Sequence, residues 1–156
     1  MHETFETDDL AETTILGERL GTLLEPGSVV ALIGEMGSGK TYFTKGIARG
    51  LGIDPAEVVS PTFTLLNVHR GRLPLCHLDF YRLERVEELE ELGLEAWYDE
   101  GVIVIEWADR IPEALPADHL EVTISYLSPT HRRFDLQSHG PGGERILARL
   151  CAKRRP

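Results

Sequence analysis

An α/β domain with a mixed β-sheet, parallel near its centre and antiparallel elsewhere, is what this sequence predicts, and three observations carry it. The apolar run at residues 29–33 leads straight into a glycine-rich turn and then a helix-like stretch. Residues 102–105 are apolar without a break, the pattern of a strand buried on both faces. Two strand-like segments, 64–69 and 75–80, flank Arg70-Gly71-Arg72, which signals a hairpin where a simple βαβ chain would place a helix. No repeat, low-complexity linker or shift in composition divides the 156 residues, so the chain reads as one domain, 1–156.

The elements follow in order. Residues 7–24 predict a helix, with Thr7 as its N-cap and Asp8 and Asp9 beside the positive end of its dipole. Leu10, Leu16, Leu20, Leu23 and Leu24 form its apolar stripe, and Glu25-Pro26-Gly27 stops it. Residues 28–33 predict the strand that enters the glycine-rich turn. Residues 40–51 predict the helix that leaves it, ending near Gly50 and Gly52. After the hairpin, residues 83–94 predict a helix whose glutamates, Glu84 to Glu91, make a solvated outer face. Residues 120–127 and 133–137 predict two more strands around Ser128-Pro129-Thr130, and 144–150 a short terminal helix.

Bulk properties narrow the function. Hydrophobic content of 42% and charged content of 27% suit a globular protein that builds a core without metal or disulfide staples. The two cysteines, Cys76 and Cys151, lack metal-ligand spacing, and Cys76 lies in a strand-like apolar run. Reduced thiols and a cytoplasmic location are the expectation. No apolar run approaches a membrane span, and the acidic first residues lack the apolar core of a signal peptide. A net charge of −10 repels free nucleic acid. The basic cluster Lys153-Arg154-Arg155 reads as a solvated end. If the chain serves RNA chemistry, another protein holds the RNA.

Residues 34–41 read GEMGSGKT, the G-x-x-x-x-G-K-T spacing of a phosphate-binding P-loop, and the strand before and the helix after supply the context that pattern requires. Gly34, Gly37 and Gly39 let the backbone turn tightly, so that N–H groups of Glu35, Met36, Gly37, Ser38 and Gly39 make a nest for phosphate oxygens. The positive end of the next helix adds to it. Lys40 reaches the β- and γ-phosphates, the Thr41 hydroxyl is a Mg²⁺ ligand, and Tyr42 follows in the first helical turn. The fold class is therefore a three-layer, P-loop NTPase-like α/β domain.

Glu106 ends the apolar strand 102–105, where P-loop proteins place an acid that holds Mg²⁺ directly or through water. Trp107 after it reads as core packing. Asp79 ends the strand from Leu75 and shares a face with His77, so it can order an attacking water or the Mg²⁺ shell. His77 is either part of that network or a structural histidine. Arg82 has phosphate, Glu84 and Glu87 as alternative partners. Ser60-Pro61-Thr62-Phe63 is a stiff turn, since Pro61 holds Ser60 extended. Thr62 in it either senses the γ-phosphate or serves a plain turn.

GEMGSGKT, SPTF (60–63), HLDFYR (77–82) and EWADR (106–110), in that order, resemble the TsaE family, formerly YjeE. The likeness runs from the N-terminal helix to the strand pair at 128–136. The P-loop alone is shared with many NTPases; the later motifs are far more specific. The resemblance implies binding of ATP and ADP with Mg²⁺ and slow intrinsic ATP hydrolysis. It implies work with TsaB and TsaD, which carry threonylcarbamoyl transfer to adenosine 37 of tRNAs reading codons that start with A, hydrolysis resetting that machinery. It assigns Lys40 and Thr41 to phosphate and Mg²⁺, Glu106 to the Mg²⁺ side, Asp79 to the aspartate needed for activity, and Thr62 to the switch-like threonine. It also places Thr7, Asp8 and Arg132 near nucleotide contacts. Nothing from Ser138 onward is assigned. The expected protein is a monomer by itself, bound to no membrane, that meets tRNA only through its partners.

Two other readings stay open. A small P-loop kinase would use Asp79 and Arg82 at an acceptor site, but no arginine-rich lid lies between Glu106 and Leu127. A nucleotide-dependent binding module would use the bound state itself. The chain has no N-K-x-D guanine motif, in keeping with ATP over GTP.

Overall fold

A computed structural model describes residues 1–61 and 63–152 of the chain. Thr62 and the Lys153-Arg154-Arg155 cluster lie outside the described residues. The strands are β1 (His2–Thr7), β2 (Val29–Ile33), β3 (Leu66–His69), β4 (Leu75–Asp79), β5 (Val102–Glu106), β6 (His119–Tyr126) and β7 (Arg132–His139). The helices are α1 (Leu10–Leu23), α2 (Lys40–Gly50), α3 (Glu87–Glu90), α4 (Glu95–Glu100) and α5 (Gly140–Ala152).

All strands join one mixed sheet in the order β1-β7-β6-β2-β5-β4-β3. β2 sits between β5 and β6 and is parallel to both, and β4 is parallel to β5. β3 closes one edge as the antiparallel arm of the expected hairpin, and β7 and β1 close the other, each antiparallel to its neighbour. Alternation splits β2 and β5 between two cores. Val30, Leu32, Val102 and Val104 face α1, α2 and α5, while Val29, Ala31, Ile103 and Ile105 face the layer that holds α3 and α4. The result is the three-layer α/β arrangement that the apolar runs call for. Cys76 is fully buried in β4, and burial pushes its thiol pKa up to about 12. Among the described residues no helix is long and apolar enough to cross a membrane.

The structure corrects several element boundaries. The first helix begins at Leu10, not at Thr7, and Asp9 caps it by accepting a hydrogen bond from the Glu12 N–H at 2.8 Å. Thr7 instead ends β1, a strand absent from the sequence reading because only Phe5 and Thr7 of it are buried. Leu10 leaves the apolar stripe and is 40% exposed. The helix expected over 83–94 shrinks to α3, and α4 follows separately. Like charges four residues apart, Glu84 with Glu88 and Glu87 with Glu91, oppose a longer helix, and Gly93 with φ of 65° interrupts it. The terminal helix begins at Gly140 because the Asp118 carboxylate accepts from the Gly142 and Gly143 N–H groups, each at 2.9 Å. That cap comes from a distant segment.

α1 and α2 cross at nearly backbone contact. A Cβ on Gly17 would lie 2.6 Å from the Phe43 carbonyl oxygen, and one on Gly46 would press into the Thr14 carbonyl. The close crossing sets α2, and with it the P-loop, against the sheet.

Candidate nucleotide site

The glycine-rich turn leaves β2 at the edge of the sheet where the parallel strands end. Gly37 and Gly39 take φ of 81° and 109°, the left-handed region that a side chain opposes. A Cβ on Gly34 would lie 2.6 Å from Ser38 Oγ and 2.8 Å from the Ile124 carbonyl oxygen. α2 starts at Lys40, so its first N–H groups have no carbonyl a turn earlier to bond. Ser38 Oγ is buried without a hydrogen-bond partner among the described residues. A tight backbone cradle, a helix N-terminus and an unpartnered buried hydroxyl together fit an anionic phosphate chain.

Lys40 is 6% exposed, and its Nζ donates to the carbonyls of Gly34 at 2.5 Å and Glu35 at 2.9 Å. Burial holds its ammonium below the usual lysine range, while Glu106 and then Asp79 pull the other way. The Trp107 ring lies 4.1 Å from Nζ and 5.0 Å from the Tyr81 ring. Trp107 is therefore not only core packing: it follows Glu106 with φ of 57° and roofs the lysine. Its position next to the strand-end acid was the available signal.

Two carboxylates reach the same edge from neighbouring strands. Glu106 pairs with Leu32 of β2 on one side and Asp79 of β4 on the other. Both acids are nearly buried, at 2% and 3% exposure. Asp79 Oδ1 accepts from the Tyr81 N–H at 2.8 Å, and Glu106 Oε2 lies 2.5 Å from His77 Nε2. No group of three or more His, Cys, Asp or Glu among the described residues is arranged to cage a metal ion. Mg²⁺ needs no such cage, because it takes one or two protein ligands beside phosphates and waters. Thr41 and Glu106 are the pair that fits that demand.

Arg132, at the start of β7, is 6% exposed and holds the loop from the other side. Its Nε donates to the Ser38 carbonyl at 2.8 Å and Nη2 to the Gly37 carbonyl at 3.3 Å. Nη1 donates to the carbonyls of Ser128 at 2.6 Å and His131 at 3.0 Å, and the guanidinium lies over the Tyr126 ring. A cavity of about 310 Å³ opens between these parts. Met36, Gly37, Gly39, Lys40, Thr41 and Tyr42 line it, together with Glu106 and Arg132. Leu10, Ser60, Trp107 and Pro129 complete its wall, and none of these four is among the expected contact residues. Glu35 and Ser38 line a second cavity, of about 630 Å³, across the loop.

Two expected contact residues sit further out. The Thr7 hydroxyl is paired with Thr13 Oγ1 at 2.8 Å, and Asp8 Oδ1 lies 3.4 Å from His131 Nε2 at an exposed position. Neither lines the 310 Å³ cavity. The Thr62 assignment falls outside the described residues. The Arg82 guanidinium lies 4.4 Å from the Phe63 ring.

The sequence model of the family described as Threonylcarbamoyl adenosine biosynthesis protein TsaE matches residues 7–134. The chain belongs to the TsaE family. The tRNA threonylcarbamoyladenosine biosynthesis protein TsaE of Treponema pallidum is 46% identical to it over 122 residues, covering 78% of this chain and 90% of that one. The protein of the same name from Bacillus subtilis is 39% identical over 141 residues, covering 89% and 87%. The crystal structure of Bacillus subtilis YdiB superposes with a TM-score of 0.83 at 30% identity, covering 99% of this chain and 97% of that one. The family's role is thus in tRNA threonylcarbamoyladenosine biosynthesis, and the mixed α/β fold is shared with a solved structure.

Proposed function

We propose that this chain is a Mg²⁺-dependent ATPase that binds ATP and ADP at the P-loop and hydrolyses ATP slowly by itself. In this reading it supports threonylcarbamoylation of adenosine 37 in tRNAs that read A-starting codons, together with TsaB and TsaD in the cytoplasm. The observation that carries the reading is the convergence of Lys40, Glu106 and Asp79 on one edge of the sheet, beside a cavity walled by the P-loop.

Bound Mg²⁺ supplies positive charge to the β- and γ-phosphate oxygens. Residues of the chain do the rest. Backbone N–H groups from Glu35 to Gly39 and the start of α2 bind the phosphates, and Lys40 turns from its own loop carbonyls to them. The Thr41 hydroxyl and Glu106 hold the metal side. Asp79 orders the attacking water, and Thr62 senses the γ-phosphate. Tyr42 and Arg132 border the nucleotide, with Thr7 and Asp8 at its outer margin.

Slow turnover has a physical source. Phosphoryl transfer is accelerated mainly by placed positive charge. The arginines around the site are already engaged: Arg132 on loop carbonyls, Arg82 over Phe63 and Arg110 beside Tyr81. A partner protein that adds a cation or otherwise completes the site then raises the rate. In this reading the net charge of −10 keeps tRNA with the partners, and the chain outside their complex is a monomer.

The test is phosphate release from ATP by the purified chain, with and without TsaB and TsaD, beside a pull-down with and without ATP. The expected result is slow release that the partners raise at least tenfold, and up to the about 10³–10⁵-fold that a supplied arginine brings. Full-rate hydrolysis without any partner would remove the activation step. Phosphorylated nucleosides in place of free phosphate would move the chain to kinase chemistry.

A further inference from the structure

We infer that His77 is a positioning residue for Glu106, tying down one oxygen of the carboxylate so that it meets the metal side of the nucleotide in one orientation. The inference rests on the Mg²⁺-nucleotide reading of the site and assigns a residue that the reading does not use. His77 lies two residues before Asp79 on β4, on the same face of the strand. It is fully buried, and its Nε2 is 2.5 Å from Glu106 Oε2. The two residues are 29 apart in the chain and meet only because β4 and β5 are parallel neighbours in this register.

The tautomer follows from the partners. An ionised carboxylate only accepts, so Nε2 carries the hydrogen. Nδ1 is buried and has no partner among the described residues. A hydrogen there would be a buried donor with nothing to receive it, which is unfavourable. The bond to Glu106 is therefore made by the Nε2–H.

This bond restrains a side chain that otherwise has freedom to turn. The glutamate backbone is already fixed, since the Phe80 N–H donates to the Glu106 carbonyl at 3.0 Å. The carboxylate is the remaining loose part, and His77 ties one of its two oxygens. Residues that orient a metal-binding carboxylate in this way set metal affinity while leaving metal-free binding alone. His77 thus acts on the Mg²⁺-dependent part of nucleotide affinity.

The experiment measures ADP binding by calorimetry over a Mg²⁺ series and in EDTA. It compares the wild type with His77→Met, which keeps the volume without a donor, and His77→Gln, which returns an N–H at a similar reach. Circular dichroism checks that each folds. The expected result is a Mg²⁺ half-saturation point raised about 10–100-fold in His77→Met and largely restored in His77→Gln, with ADP affinity in EDTA unchanged in both. A folded His77→Met with the wild-type Mg²⁺ response overturns the role of His77 alone. A wild type that binds ADP equally well with and without Mg²⁺, or not at all, overturns the site reading and this inference with it. If His77→Met does not fold, nitrogen NMR of the wild-type ring decides: an Nε2–H tautomer whose signal moves with Mg²⁺ and ADP together, and not with ADP in EDTA, supports the role. An Nδ1–H tautomer, or a signal blind to Mg²⁺, overturns it.

Discussion

The two sides of β2 build the same site in different ways. On the β5–β4 side the strands are apolar on both faces, and each delivers a carboxylate, Glu106 or Asp79, at its C-terminal end. On the β6–β7–β1 side one face is buried and the other half open. Leu120, Val122 and Ile124 go in while Glu121, Thr123 and Ser125 stay partly exposed. That side delivers a cation, Arg132, and delivers it from the first residue of β7. Strand direction explains the difference. Parallel strands all end at the edge where the P-loop begins, whereas an antiparallel strand starts there. One side therefore supplies the two carboxylates of the candidate site, and the other braces its glycine-rich loop.

That division predicts which property each change affects. The largest effect belongs to the acids. Glu106→Gln and Asp79→Asn should each lower phosphate release about 100-fold or more, with ADP binding in EDTA nearly intact. Single-turnover assays beside calorimetry check it, and an equal loss of metal-free ADP affinity would break the division. Next is the support beneath the loop. Gly46→Ala sets a methyl against the Thr14 carbonyl and should destabilise the fold by about 3 kcal/mol, the upper end for overpacking, because backbone must move. Urea unfolding measures it.

On the antiparallel side, Arg132→Lys keeps the charge and loses the fork that spans Ser38, Gly37 and Ser128. The expected cost is about 1.5 kcal/mol of stability, with weaker ADP binding and an unchanged rate at saturating ATP. A fall in that rate would place Arg132 among the reacting groups. The smallest effect concerns β3. Burial holds the His69 pKa below 6.5. Between 6.5 and that lowered value the unfolded chain takes up the proton and the folded chain does not. Stability should accordingly fall as pH drops below 6.5, and His69→Phe should flatten that part of the curve in urea midpoints measured from pH 7 to pH 5.

Much of the site was legible before any fold was known. Glycines at fixed offsets between an apolar run and a helix admit few interpretations, and Glu106 and Asp79 sit where apolar runs end. β1 was not legible, because an edge strand with only Phe5 and Thr7 buried carries almost no apolar signal. The helix expected over 83–94 breaks for the opposite reason: its apolar positions have helical spacing, but its like-charge pairs oppose the helix.

By itself, then, the sequence determined the strand–loop–helix unit, the identities of Lys40, Thr41, Asp79 and Glu106, and the family. These depend on neighbours within a few residues or on motifs in a fixed order. Tertiary structure alone decided that His77 holds Glu106, that Arg132 grips a loop carbonyl 94 residues away, and that Asp118 caps α5. Each of those contacts follows from strand order and register, and the cost of closing the long loops between them leaves no local trace in the chain.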